Sequence, residues 1–233
     1  MITSLTLLNA SELERVEDRI KELRTHWIPR GAEPANFFTF GAASYLDDPA
    51  EYPRTAAALN PILSDAFSWL YERLLDFLSK RLRAPATFAP GLGLPGFHIW
   101  LTPAIFIRPE ASIHFDLQYL RAWPSLEGAD LKRPLSFTMA IRLPRRGGGL
   151  NVWDVAYDRY LNFREQTGAR LQPKDITLLV ERLRHPYTPG GMALHSGHLL
   201  HQIGEIDEVW PGDERITLQG HALFAGGEWR LYW

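Results

Sequence analysis

The sequence predicts an α+β protein in which N-terminal helices pack on one sheet of an antiparallel jelly-roll. Up to about residue 84, apolar residues recur at helical spacing, and from residue 85 onward short strand-like runs are separated by Pro and Gly. Short runs at this spacing are typical of sandwiches and barrels rather than of βαβ units. We expect a single domain over 1–233, mainly helical in 1–84 and a jelly-roll in 85–233.

Two helices are expected in the N-terminal part. The first should span residues 11–27, where Ser11 and Glu14 have the spacing of a capping box. The second should begin at Asn60 and run to about Leu82, with an apolar face wide enough to cover a sheet. Asp and Pro interrupt the stretch GAASYLDDPAEYPR, so the segment before the second helix should be a loop.

The strands of the jelly-roll are expected at apolar or alternating runs bounded by turn residues. The runs, in chain order, are FHIWL, AIFI, SIHFDLQYL, LSFTMAIRL, GLNVWDV, GGMALHS and RITLQGHALF.

Composition restricts the class of protein. The chain has 233 residues, 45% of them hydrophobic, and a formal net charge of −2. Its basic residues form no stripe or cluster, so we expect neither a nucleic acid nor a membrane as partner. It contains no cysteine, which excludes a disulfide framework and thiolate metal sites and fits a reducing, cytoplasmic location. We therefore expect a cytoplasmic protein; the sequence leaves the oligomeric state open.

The run SIHFDLQYL places two ligand-type side chains two positions apart. On a strand, His114 and Asp116 would point to the same face, while the apolar residues between and beside them cover the other face. A neutral imidazole and a carboxylate at this spacing can bind one metal ion. Alone, the pair favours a solvated strand or a self-satisfied pair in the core over a metal site.

A second polar group lies far downstream. His195, His198 and His201 fall within a few residues of each other, and Arg215 begins an alternating run. A third ligand from a distant strand would complete a two-histidine, one-carboxylate site with open positions on the metal. The competing interpretations are a polar turn for the histidines and, for Arg215, a solvated charge or an ion pair with Glu214 or Asp213.

Taken in order, these motifs resemble a known family. The order HxD, RRGGGLNVWD, GGMALHSGHLLHQ and RITLQGHAL is similar to that of the Fe(II)- and 2-oxoglutarate-dependent dioxygenases, whose core is a double-stranded β-helix, the cupin-like jelly-roll. The resemblance covers about residues 95–225. The connection QIGEIDEVWPGDE is longer than the family's connection often is, so His198 remains an alternative to His201 as the ligand.

The resemblance implies a function and a set of site residues. His114, Asp116 and His201 would be the catalytic residues that hold Fe(II), and Arg215 with Thr217 would bind the distal carboxylate of the cosubstrate 2-oxoglutarate. With O2 as the second cosubstrate, such an enzyme hydroxylates an unactivated C–H bond and releases succinate and CO2. The family's halogenases have a small residue in place of the carboxylate, so Asp116 implies a non-halogenating oxidation.

Three functions remain open from the sequence. The first is an oxygenase acting on a small molecule, such as an amino acid or a biosynthetic metabolite. The second is a hydroxylase of protein or peptide residues, and the third is a cupin-like metal-binding protein without redox chemistry. Arg215 discriminates the third from the others, because a metal-binding protein without a cosubstrate does not need it.

The substrate-contacting residues are predicted only from their positions near the motifs. The candidates of this kind are His98, Tyr119, Trp153 and His198. Further candidates to line the pocket are Trp100, Trp123, His195 and His221, and Arg121, Arg142, Arg145 and Arg146 are candidates to pair a substrate carboxylate.

Overall fold

A computed structural model describes most of the chain. The described residues are 2–31, 37–102, 104–105, 112–122, 128–168 and 172–233. The strands are β1 (Thr3–Thr6), β2 (Ile28–Arg30), β3 (Phe37–Phe40), β4 (Ala86–Phe88), β5 (Gly96–Leu101), β6 (Ala129–Arg142), β7 (Leu150–Ala156), β8 (Arg182–His185), β9 (Gly191–Ser196), β10 (Leu199–Ile203), β11 (Glu214–Ala225) and β12 (Glu228–Tyr232). The helices are α1 (Ala10–Glu22), α2 (Tyr52–Ala66), α3 (Ser68–Leu82), α4 (Tyr119–Ala122), α5 (Tyr157–Thr167) and α6 (Pro173–Ile176).

Helix α1 begins earlier than predicted and uses another cap. The Asn9 side chain accepts a hydrogen bond from the Glu12 amide at 3.1 Å, and the Glu12 carboxylate accepts one from the Asn9 amide at 3.0 Å. Asn9 and Glu12 therefore form the capping box, and the assignment to Ser11 and Glu14 was wrong. Asn caps a helix as well as Ser does, and here the Ser11 hydroxyl donates to Asn9 at 2.8 Å.

The second predicted helix is two helices, α2 and α3, which meet at the buried Phe67. Pro61 lies inside α2 instead of opening it, although an internal proline costs a helix about 3 kcal/mol. Tertiary contacts offset that cost. Leu63 is fully buried in the main core. The side-chain amide of Asn60 donates to the Leu92 carbonyl at 2.8 Å and accepts a hydrogen bond from the Leu94 backbone amide at 3.0 Å.

Two sheets form the jelly-roll. The larger has the strand order β1-β9-β6-β11-β5-β3-β2, with β12 joining β11 to β4, and the smaller has the order β10-β7-β8. A β-bridge between His114 and His201 adds the HxD segment to the free edge of β10. From β5 to β11 the eight core segments pass back and forth between the two sheets, except that β7 and β8 follow each other as paired strands of the small sheet.

The run SIHFDLQYL is not the regular strand that was predicted. Among its described residues, the strand-type contacts are the bridge of His114 to His201 and a hydrogen bond from the Asp116 backbone amide to the Gly197 carbonyl at 2.7 Å. The chain then turns, because the Leu120 amide bonds the Leu117 carbonyl, and α4 begins. In the predicted strand AIFI, Ala104 and Ile105 lie outside any strand, and residues 106–107 lie outside the described part of the chain.

The two faces of the large sheet differ in chemistry because neighbouring residues alternate. One face is apolar and packs on α1, α2 and α3, which confirms that the N-terminal helices cover one sheet. Its strand residues include Phe97, Ile99, Phe137, Met139, Ile216 and Leu218. The other face turns toward the small sheet and carries small or polar side chains such as Thr138, Thr217 and Gln219, which leave room for a cavity.

Short elements were harder to predict. Strands β1, β2 and β3 lie in the part of the sequence expected to be mainly helical, and each has only three or four residues. Their hydrogen-bond partners come from distant segments or from one another, so local periodicity does not reveal them. No helix in the described ranges is long and apolar enough to cross a membrane.

Gly96 provides a test of the packing between β5 and the C-terminus. A Cβ at this position would overlap the indole ring of the buried Trp233 and would lie 2.7 Å from the Phe40 carbonyl oxygen. We expect Gly96→Ala to lower the free energy of unfolding by about 3 kcal/mol, the upper range for overpacking a core. Urea unfolding measures the change.

Gly91→Ala is the control for this prediction. Gly91 has φ of +76° and open space around its Cα, so its substitution costs only backbone strain of about 1 kcal/mol. An equal or smaller loss for Gly96→Ala than for Gly91→Ala would contradict the packing described here.

Candidate functional site

Three ligand-type side chains converge where the HxD segment meets β10. The Asp116 carboxylate lies between two imidazoles, with Oδ1 3.5 Å from His114 Nε2 and Oδ2 3.4 Å from His201 Nε2. One ligand atom from each residue lies within 4.8 Å of the others, so the three can hold one metal ion. The bridge between His114 and His201 sets this geometry, because paired residues of neighbouring strands place their side chains side by side.

The backbone fixes which nitrogen of each histidine faces the group. His114 Nδ1 lies 2.6 Å from the Ser112 carbonyl oxygen, and His201 Nδ1 lies 2.8 Å from the Leu199 carbonyl oxygen. A carbonyl oxygen only accepts, so Nδ1 carries the proton in both rings. In the neutral rings Nε2 therefore has a free lone pair directed at Asp116, as metal-binding histidines with an oriented second nitrogen do.

The charge states favour metal binding. Burial lowers the pKa of His201 to about 3, so this imidazole is neutral at pH 7. Burial by itself raises the pKa of Asp116, but His201, His221 and His114 around the carboxylate outweigh it and hold the pKa well below its usual range. The Asp116 carboxylate is thus ionised and the His201 imidazole is neutral. Burial lowers the pKa of His114, but the hydrogen bond and charge of Asp116 outweigh it and raise that pKa, so a metal ion would replace a proton there.

Arg215 is a buried cation with no anionic partner among the described residues. Its Nε donates to the Gly148 carbonyl at 2.9 Å, and its guanidinium lies 5.9 Å from the centre of the Tyr187 ring. Thr217 is 3.5 Å from Nη1, at the limit of a hydrogen bond. A buried charge without a counterion is unfavourable, so this position suits an anionic ligand.

The acidic neighbours of Arg215 are occupied elsewhere, so the predicted alternative of an ion pair was wrong. Glu214 points to the opposite side of β11, where it pairs with Arg142 at 3.1 Å and with Lys21 at 3.4 Å. Asp213 accepts a hydrogen bond from the Trp210 amide at 2.9 Å. The solvated alternative also fails, because Arg215 is only 2% exposed.

One cavity of about 600 Å³ joins the metal-type group to Arg215. His114, Asp116, His201 and Arg215 all line it. Its volume falls in the usual range for small-molecule pockets. Aromatic rings form part of the wall, among them Phe37 and Trp100, which stack with centroids 4.1 Å apart.

The structure separates the predicted substrate residues into two groups. His98 lines the cavity, with Nε2 3.0 Å from the Tyr45 hydroxyl. Tyr119 and His198 contact each other at 3.0 Å and do not line the cavity. Trp153 packs in an apolar cluster with Phe115, so the structure does not bring it to the site.

The strand register separates His201 from His198. His201 lies on β10 beside Asp116, whereas His198 precedes β10 and faces Tyr119. His195 and His221, which were pocket candidates, line the cavity. Thr217 is fully buried beside Arg215 and accepts a hydrogen bond from the Gln219 amide at 3.1 Å.

The remaining candidates differ in position. Trp100 and Arg121 line the cavity. Arg142 is held by Glu17 and Glu214. Arg145 and Arg146 do not line this cavity; Arg145 lies over the Trp210 ring, and Arg146 pairs with Glu208 at 3.9 Å. Trp123 lies outside the described residues.

Sequence reasoning missed several cavity residues. Tyr45 comes from the segment between β3 and α2, which was read only as a loop, and Tyr187 follows β8. Gln118 lies two positions after Asp116, at the same spacing that singled out His114 and Asp116. That spacing was a signal for Gln118, whereas the two tyrosines carried none.

Comparisons with known proteins support the fold. No protein-family model and no curated protein matches the chain. Among solved structures, the non-heme alpha-ketoglutarate-dependent epimerase SnoN from nogalamycin biosynthesis is 14% identical, with a TM-score of 0.57 over 96% of this chain and 77% of that chain.

Two further structures have similar scores. An N-substituted L-amino acid dioxygenase from Burkholderia ambifaria AMMD, in complex with alpha-KG, is 18% identical, with a TM-score of 0.54 over 99% of this chain and 85% of that chain. The alpha-ketoglutarate-dependent carbocyclase SnoK is 11% identical, with a TM-score of 0.52 over 100% of this chain and 92% of that chain. At these identities the likeness establishes the fold, and the predicted fold class is confirmed.

The protonation of His98 provides a test of the cavity's electrostatics. Burial, followed by the charge of Arg215, lowers the pKa of His98 from 6.5 to about 3. As the pH falls below 6.5, the unfolded chain takes up a proton here and the folded chain does not, so stability decreases toward pH 3 by up to about 1.4 kcal/mol per pH unit. We expect His98→Asn to reduce this slope in urea unfolding between pH 7 and pH 5.

Tyr45→Phe is the matched control. It removes the hydroxyl that contacts His98 but keeps the titrating ring, so its slope should stay that of the unsubstituted protein. If His98→Asn also keeps that slope, the buried, neutral state of His98 is contradicted.

Proposed function

We propose that this protein is an Fe(II)- and 2-oxoglutarate-dependent oxygenase that hydroxylates a small molecule. The observation that carries the proposal is the joint presence, in one cavity, of a two-histidine, one-carboxylate group and a buried arginine without a counterion. Either feature alone fits other functions. Together they match the needs of a metal and of a dicarboxylate that binds both to the metal and to a cation.

His114, Asp116 and His201 are the residues that would hold Fe(II). Imidazole and carboxylate ligands suit Fe(II), and a three-residue site leaves coordination positions for cosubstrate and O2. The protein contributes the orientation, because the Ser112 and Leu199 carbonyls keep both Nε2 atoms directed at the carboxylate. Such fixed ligands reduce the reorganisation needed when the metal binds.

Arg215 and Thr217 would bind the distal carboxylate of 2-oxoglutarate. The planar guanidinium can make two charge-assisted hydrogen bonds to a carboxylate, which a lysine cannot match in geometry. The Gly148 carbonyl holds Nε of Arg215, so the guanidinium stays oriented while its remaining N–H groups are available. The non-redox, cupin-like alternative gives no reason for this buried charge.

When bound, the iron with 2-oxoglutarate and O2 supplies the oxidant for an unactivated C–H bond, with release of succinate and CO2. The chain's own residues would hold the reactants in the cavity. Asp116 occupies the carboxylate position, so a non-halogenating oxidation, such as hydroxylation, is the expected outcome.

The cavity volume of about 600 Å³ supports a small molecule, such as an amino acid or a biosynthetic metabolite, as the substrate. The similar structures point the same way: two are enzymes of nogalamycin biosynthesis, and one is an N-substituted L-amino acid dioxygenase. Among the cavity residues predicted from the sequence, His98 and Arg121 can hydrogen-bond to such a substrate, as can His195 and His221.

The proposal is tested first without oxygen. Fe(II) is added to the metal-free protein, and 2-oxoglutarate is titrated while the visible spectrum is recorded. We expect a weak charge-transfer band that saturates, because the keto acid chelates protein-bound iron. His114→Ala should abolish both the band and the formation of succinate under air. A metal-loaded protein without the band would favour the non-redox metal-binding function.

Arg215 gives the second test. We expect Arg215→Met to weaken 2-oxoglutarate binding about 100-fold, the loss for removing charge-assisted hydrogen bonds of about 2–3 kcal/mol, while Fe(II) affinity is retained. Anaerobic titration of the charge-transfer band measures both. Arg145→Met is the control, because Arg145 lies over Trp210 and does not line the site cavity. Equal 2-oxoglutarate affinity in the two variants would contradict the role of Arg215.

A further inference from the structure

Gln118 makes the shortest side-chain contact to the carboxylate of the candidate metal group. Its Nε2 donates to Asp116 Oδ1 at 2.9 Å, whereas the histidine nitrogens next to the same carboxylate lie at 3.4 Å and beyond. An N–H to an ionised acceptor is a charge-assisted hydrogen bond, which is stronger than a neutral one. The Gln118 side chain therefore restrains the orientation of Asp116.

The carbonyl oxygen of the Gln118 side chain supports this restraint on Asp116. Gln118 Oε1 is buried and has no hydrogen-bond partner among the described residues. A buried acceptor without a donor is unfavourable. Rotating the amide would place Oε1 against the Asp116 carboxylate, with two acceptors facing each other. The side chain thus keeps its bond to Asp116 at the expense of its own oxygen.

We propose that Gln118 is a positioning residue for the metal-binding carboxylate. It occupies Oδ1 of Asp116 with an amide hydrogen and leaves Oδ2, on the side of His201, for the metal. This inference rests on the proposed function, because it requires that His114, Asp116 and His201 bind a metal ion. Glutamine suits the position because it has the reach to the carboxylate and donates a hydrogen, which glutamate at neutral pH does not.

Metal affinity tests the inference without any turnover. The metal-free protein is titrated with Co(II), whose visible spectrum reports both binding and the arrangement of the ligands. We expect Gln118→Met, which keeps the length of the side chain but loses the donor, to raise the Kd for Co(II) by 10- to 100-fold, the usual effect of removing such an outer partner. The spectrum of the saturated variant should also change, because the carboxylate is free to rotate.

Gln219→Met is the matched control. Gln219 lines the same cavity but donates to Thr217 at 3.1 Å instead of to a metal ligand. Its Kd for Co(II) should stay within about twofold of the unsubstituted protein, since it leaves the partners of Asp116 intact. If Gln118→Met does not fold, as judged by circular dichroism, Gln118→Asn replaces it. Asn keeps the amide but is one methylene too short, and the same loss of affinity is expected.

The outcomes separate the inference from the proposed function. If the unsubstituted protein binds Co(II) and Gln118→Met binds it equally well with the same spectrum, the role of Gln118 is overturned and the metal site stands. If Gln219→Met loses as much affinity as Gln118→Met, the effect belongs to the cavity in general, and the role of Gln118 is again overturned. Failure of the unsubstituted protein to bind Co(II) or Fe(II) overturns both proposals.

Discussion

The structure depends on keeping an anion and a cation buried in one cavity without an ion pair between them. Asp116 is held among histidines near the edge of the small sheet, and Arg215 is held by the Gly148 carbonyl. If the two met, each would neutralise the other, and the proposed binding of a metal by the Asp116 group and of an anionic group by Arg215 would be lost. Separate neutral partners, the imidazoles and a carbonyl, make the separation tolerable.

The large sheet can hold buried charged and polar groups because one of its faces is apolar and packs on the helices, while the other lines the cavity. The face toward the helices buries apolar side chains such as Ile216 and Leu218, and this burial supplies the stability of the sheet. The opposite face can then carry Arg215, Thr217 and Gln219, whose polar groups would be costly without the support of the apolar face. The alternation of residues along β11 is thus what joins the stability of the core to the chemistry of the cavity.

Acidic residues near the cavity are paired with basic residues other than Arg215. Glu214, next to Arg215 in the sequence, is held on the opposite side of β11 by Arg142 and Lys21. Glu205 is likewise paired with Arg182 and Arg184 outside the site. These ion pairs are partly exposed and contribute little stability individually. With these carboxylates paired to other cations, Arg215 has no carboxylate partner in the described part of the chain.

The sequence by itself determined the fold class and the helix-covered sheet, and it singled out His114, Asp116, His201 and Arg215 as site candidates. Periodicity and motif order can be read from the sequence without coordinates. The tertiary structure decided what depends on distant partners. The register of β10 placed His201, and not His198, beside Asp116. The contacts of Asn60 kept a proline inside α2. The HxD segment formed a single bridge instead of a full strand. The physical reason is that such choices differ by a few kcal/mol of packing and hydrogen bonding between segments far apart in sequence, which local propensity does not contain.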